Sequence, residues 1–267
     1  MASLNNAIRD MRTLEDMAEG TTVIHVIHPF AKIIVTFIYI VLVISFNRYD
    51  LSGLIPFILY PVIIMALAEI PYRTLFYRFL IAFPFAFFAG IFNVFLDREV
   101  FFYLGGLAIS YGLISFLSLL LKTLLSVMAV LILAATTPLS KISYQLVRMK
   151  MPNILVMQIT MTYRYISVLA AEAHTMFIAY ILRSPRQRAI KMKDMGVFLG
   201  GLLLRSFDRA ERVYAAMKCR GFSGTFTVND NMSIKLLDVF YMLILLACFV
   251  LFRYLNFSVL VGGLFNL

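Results

Sequence analysis

An all-α polytopic membrane protein is the fold class this sequence predicts, and three observations carry that prediction. Hydrophobic residues make up 62% of the 267-residue chain and charged residues only 14%. Mean hydropathy is +0.90, and soluble domains, at about 45–50% apolar and about 25% charged, do not reach such values. Several apolar runs approach the roughly 20 residues that a helix needs to cross a bilayer core. The pattern predicts about five transmembrane helices, with a cytoplasmic platform of about three helices between spans four and five.

In chain order, a mixed-charge leader (Arg9, Asp10, Arg12, Glu15, Asp16, Glu19) precedes the first apolar run. It lacks a small-residue cleavage site, so it is expected to stay attached. Pro29 opens span one, which runs to Phe46; span two follows from Leu51 to Ala68, and span three from Phe79 to Leu96. The stretch Phe101 to Ser110, broken by Gly105 and Gly106, is too short to span and reads as a turn or hairpin. Span four emerges near Tyr111 and ends at Thr136; span five runs from Leu236 to about Val261, with Arg253 toward one end, where it can snorkel. Pro56, Pro61 and Pro84 lie inside spans and read as kinks. Lys122, deep in span four, is expected to snorkel or to face a helix interface or wet cavity.

These runs divide the chain into an N-terminal membrane domain (1–136), a helical block (137–229) and a C-terminal span (230–267). Charge orients them. From Thr137 to Asn229 there are fourteen Lys and Arg against four Asp and Glu, a net of +10 that equals that of the whole chain. The positive-inside rule places this block in the cytoplasm. Four preceding spans put the N-terminus on the same side, and the loop holding Arg73 and Arg78 falls there too.

Helical periodicity, with no Gly/Ser or Pro-rich tract, predicts three helices in the block. The first lies between Pro138 and Pro152. The second runs from Asn153 to about Arg183 and carries Gln158, Arg164, Glu172 and His174, which argue against a sixth span. In the third, Leu203, Phe207, Ala210, Tyr214 and Met217 share an arc, while Arg205, Arg209, Arg212 and Arg220 lie opposite. One face is expected to pack on protein or bilayer; the basic one is expected to meet lipid headgroups or a partner protein. Arg183-Ser184 closes the second helix and Arg220-Gly221 the third. An arginine complements the dipole at a helix end and glycine is an ordinary cap, but two such ends also suit two copies of one carboxylate-bearing partner.

At these residues the chain resembles the transmembrane (T) component of energy-coupling factor transporters, the cobalt-type CbiQ family. The similarity covers His28-Pro29-Phe30-Ala31-Lys32, Thr136-Thr137-Pro138, Tyr163-Arg164-Tyr165 with Ala171-Glu172, and Ala216-Met217-Lys218-Cys219-Arg220-Gly221-Phe222. The family's two short Ala-Arg-Ser/Gly signatures match at Arg183-Ser184 and Arg220-Gly221; Leu182 and Cys219 stand where Ala is usual.

What the resemblance implies is a non-catalytic scaffold in a prokaryotic plasma membrane. Its coupling helices dock on two ATP-binding-cassette (ABC) ATPase subunits through Arg183, Ser184, Arg220 and Gly221, with Arg205, Arg209 and Arg212 as a supporting basic face. A membrane S component binds the substrate, with cobalt expected first and nickel or a vitamin as alternatives. ATP and Mg belong to the partner subunits, and no cofactor or metal is expected on this chain.

Other classes fit less well. No glycine-rich phosphate loop is present. A stand-alone secondary transporter would need a charged midplane pathway or repeats, for which Lys122 alone stands. A metal enzyme would have to use His25, His28 and His174, whose spacing is poor for it. Topology accounts for the basic pI of 9.7 without nucleic acid. Cys219 and Cys248 give no disulfide framework.

Overall fold

A computed structural model describes residues 17–96, 100–104, 107–184, 187, 189–224 and 234–254, with side chains omitted at 95, 96 and 100–109. Leader residues 9–16, Gly105, Gly106 and the end of span five after Tyr254 lie outside that set. The chain forms two compact units, one within Leu139–Asn231 and one from Leu14–Pro138 with Met232–Leu267. Among the described residues the architecture is all-α apart from one small hairpin.

The membrane unit opens with α1 (Val23–Val26) and α2 (Pro29–Ile44). Pro29 takes the first helical position, where its missing N–H is no loss, and His28 Nδ1 caps the turn by accepting from Phe30 N at 3.2 Å. A 3-10 segment, Ser52–Ile58, contains Pro56 and runs into α3 (Leu59–Leu67). Expected spans one and two are therefore apolar helices of 16 residues each, shorter than a crossing ideally requires. The 3-10 stretch rises about 2.0 Å per residue rather than 1.5 Å, which lengthens the second. Next come α4 (Tyr72–Leu96), the hairpin β1 (Val100–Leu104) and β2 (Leu107–Ser110), and α5 (Tyr111–Thr136). The hairpin is antiparallel with an irregularity between Val100 and Phe102, as the broken Phe101–Ser110 stretch predicts.

Where α4 meets α5, Gly90 lets Phe116 approach so closely that a Cβ would lie 2.7 Å from its ring, and Asn93 Nδ2 donates to Ser115 Oγ at 3.3 Å. The rest of α4 exposes Ile81, Phe85, Phe88 and Phe92, an apolar surface suited to lipid rather than water. The last described helix of this unit, α9 (Leu236–Tyr254), brings Phe249 against Tyr39, Phe57 and Tyr60 with ring centroids 5.3–6.2 Å apart. Tyr39 Oη donates to the Phe57 carbonyl at 2.9 Å, so the buried hydroxyl is satisfied.

Charges inside this unit close helix ends. Lys122 Nζ donates to the carbonyls of Phe46 (2.6 Å) and Asn47 (3.4 Å), just beyond α2. Arg253 lies over the Phe46 ring at 4.2 Å and reaches Ser45 Oγ at 3.4 Å. Buried Lys32 donates to the Thr136 carbonyl at 2.9 Å at the end of α5.

In the other unit stand α6 (Leu139–Arg148), α7 (Asn153–Arg183) and α8 (Met192–Cys219). They match the three helices read from periodicity. By length and composition α4, α5, α7 and α9 are each able to cross a membrane, so α7 meets a criterion that its polar residues spoke against.

Candidate functional site

The ends of α7 and α8 carry the two arginine signatures. At the end of α8, Arg220 is the C-cap and Gly221 has φ +83°, a left-handed conformation that disfavours any residue with a Cβ. Phe222 N donates to the Met217 carbonyl at 3.1 Å and Gly221 N to the Lys218 carbonyl at 3.0 Å. These are the two bonds of a Schellman motif, which satisfies carbonyls a helix end otherwise leaves open. Arg220 and Cys219 are exposed on this turn.

The end of α7 is built otherwise. Ser184, its C-cap, has φ −130° and donates its N–H to the Tyr180 and Ile181 carbonyls, both at 3.1 Å. The Tyr180 hydroxyl lies 2.7 Å from both Gln187 Oε1 and Asp194 Oδ2. Its single proton serves one of them at a time, and Asp194 stands in the first turn of α8. The start of α8 is thereby tied to the last turn of α7. Leu182 and Arg183 are exposed here, and neither Arg183 nor Arg220 has an ion-pair partner among the described residues.

Two arginines of the supporting basic face pair with a carboxylate of α7, and Arg205 stays exposed while doing so. Arg205 Nη1 donates to Glu172 Oε1 at 2.6 Å and Arg209 Nη2 to Oε2 at 3.2 Å, so both arginines turn toward α7. Arg212 stays exposed. A helical wheel describes one helix by itself; it placed the arginines correctly but had no view of a carboxylate on the neighbour. The i, i+4 pair of arginines opposite a lone Glu in an apolar helix was the available signal.

The apolar arc of α8 divides as well. Ala210, Tyr214 and Met217 line a groove of about 450 Å³ shared with Met157, Met161 and Tyr165 of α7. Leu203 and Phe207 are exposed. Gly196 and Gly200, spaced for close helix approach, face open space; the glycine in a close contact is Gly201, where a Cβ would lie 3.3 Å from Met176 Cε.

His25 and His28 have structural partners. His25 lies 2.7 Å from Thr22 Oγ1 and 2.9 Å from the Met17 carbonyl, while His28 is buried as the cap of α2. Among the described residues no three of His, Cys, Asp and Glu converge as metal ligands.

In curated sequences, one relative is an uncharacterized protein of Methanocaldococcus jannaschii, 31% identical over 113 residues. The match takes in 41% of this chain and spans 42% of that relative. The family model described as CbiQ, cobalt transport protein, matches residues 20–232, most of the molecule. With apolar helices suited to crossing a bilayer and this match along the chain, it is a multi-pass membrane protein that belongs to the CbiQ cobalt transport family.

Proposed function

We propose that this chain is the T component of an energy-coupling factor importer, an ABC-type machine that carries cobalt into a prokaryotic cell. The block Leu139–Asn231 faces the cytoplasm with the N-terminus, and α6 to α8 are its coupling helices. Arg183 with Ser184 and Arg220 with Gly221 dock on two ABC-type ATPase subunits, and a membrane S component binds the substrate. The observation that carries this reading is the pair of exposed arginines, each at the end of a long helix and each without an ion-pair partner among the described residues.

Mechanically, Glu172 holds α7 to α8 in the middle and Tyr180 does so at one end. Push on either arginine and both helices follow. Closure of the ATPases around ATP and Mg would shift the coupling helices, and the S component would reorient to release its ion inward. The chain itself hydrolyses nothing. α7 lies outside the bilayer on this reading, because a lipid-exposed Glu172 and Arg164 would be costly there.

The test is co-purification from detergent of the wild type, Arg183→Ala, Arg220→Ala and the double variant, with uptake and ATP hydrolysis measured on what is captured. Wild type should bring down two ATPase subunits. The double variant should lose them or uncouple hydrolysis from uptake, by about a hundredfold if each arginine contributes a charge-assisted hydrogen bond. No captured ATPase, or arginine variants that behave as wild type, would overturn the scaffold and favour a stand-alone transporter. Uptake assays with cobalt, nickel and vitamins identify the substrate. Exposed Cys219 tests orientation: a membrane-impermeant maleimide should label it only from the cytoplasmic face, and bound ATPase should protect it.

A further inference from the structure

We propose that the first turn of α2, His28 to Lys32, is a clamp through which motion of the Leu139–Asn231 block reaches the membrane helices, with Lys32 and Asp238 as its two positioning residues. The proposal rests on the scaffold reading above. It begins from connectivity: the chain leaves the membrane unit after Pro138, and the described residues resume within that unit at Ile234. Both junctions lie within a few residues of a bond to the same turn.

On the exit side, Lys32 Nζ donates to the Thr136 carbonyl at 2.9 Å, closing the end of α5 two residues before Pro138. A cation at a helix C-terminus is favoured by the dipole as well as by the hydrogen bond. On the return side, Asp238 Oδ2 accepts from Lys235 N at 2.7 Å, the backward half of a capping box at the start of α9. Its other oxygen, Oδ1, accepts from His28 N at 2.7 Å. One carboxylate thus starts α9 and grips the cap residue of α2. The end of α5, the start of α2 and the start of α9 are held within one helical turn.

All four groups are buried, with His28, Lys32, Thr136 and Asp238 no more than 4% exposed. Buried charges are a poor route to stability, because desolvation offsets their attraction. What they supply here is direction. Apolar packing permits two helices to slide, whereas a 2.7 Å bond to one named atom does not. A displacement of the block's first residues therefore pulls on α2, and α2 carries Tyr39 of the aromatic core.

The experiment uses the full importer in proteoliposomes and reads cobalt ions imported per ATP hydrolysed. The variants are Asp238→Asn, which keeps the shape but turns an N–H donor toward one of the two amides, and Lys32→Met, which removes the donor to Thr136. Asp238→Glu and Lys32→Arg keep the charge with altered reach. The disruptive variants should assemble with the ATPases and hydrolyse ATP, while ions per ATP fall about tenfold or more. The conservative pair should recover part of that ratio. An unchanged ratio in assembled disruptive variants overturns the clamp while leaving the scaffold intact. So does failure of both disruptive variants to assemble when the conservative pair couples normally, since the cluster then serves the fold alone. Absence of ATPase from the wild-type preparation overturns the scaffold reading and the clamp with it.

Discussion

At the end of α8 the chain closes on itself, whereas at the end of α7 it is held by the helix that follows. The Arg220 turn uses only Met217 to Phe222: one glycine at φ +83° and two backbone bonds complete it. The Arg183 turn has no glycine, and the Tyr180 hydroxyl draws in Gln187 and Asp194 from the next segment. Two arginines proposed for the same task therefore sit on supports of different origin. A local support persists wherever the helix goes, but a tertiary support lasts only while α7 and α8 stay together.

The largest effect expected from this contrast is at Gly221. Forcing an L-residue into the left-handed region costs roughly 1–2 kcal/mol, partly offset by the lower unfolded-state entropy of alanine. Gly221→Ala should therefore destabilise the turn by about 1 kcal/mol and weaken ATPase capture at this end. Ser184→Gly, at φ −130°, relieves no such conformation, so its loss of capture should be smaller than that of Gly221→Ala. Equal losses from the two substitutions would break the distinction; affinity of each variant for the ATPases is the measurement.

A smaller, opposite asymmetry is expected from Tyr180→Phe, which removes the hydroxyl and nothing else. Amide exchange should rise at Ser184 and the first turn of α8 while the Arg220 turn keeps its protection, as read by mass spectrometry. Uniform protection across both ends would show that Glu172 with Arg205 and Arg209 suffices to hold the helices together.

The smallest effect lies at α6, whose following turn places Lys150 at φ +62° with Met151 N bonded to the Leu146 carbonyl at 3.2 Å. This is the Gly221 arrangement without its glycine. Lys150→Gly should raise stability by a few tenths of a kcal/mol, the left-handed cost relieved against the added flexibility of glycine. A fall in melting temperature would mean that the lysine side chain contributes something the backbone does not record.

Much of this was legible in the sequence because it depends on neighbours along the chain. Pro29 after His28 marked the start of α2, Pro152 the break between α6 and α7, and Gly221 the end of α8. The charged residues of the membrane unit were harder to read. Lys122 admitted several roles until the carbonyls of Phe46 and Asn47 stood beside it, and Lys32 was part of a recognisable string with no assigned partner. Asp238 carried no pattern at all. The shared reason is sequence separation: His28 and Asp238 are 210 residues apart, and no window of periodicity spans that interval.

By itself, then, the sequence determined the solvent, the order of the helices and the residues at their ends, because hydropathy, period and capping act over one or two turns. Tertiary structure decided which charges found partners within the chain. Glu172 pairs with Arg205 and Arg209, Thr136 took Lys32, and His28 took one oxygen of Asp238, while Arg183 and Arg220 have no ion-pair partner among the described residues. A charge finds its partner in space, and only packing brings residues far apart in the chain to within 3 Å.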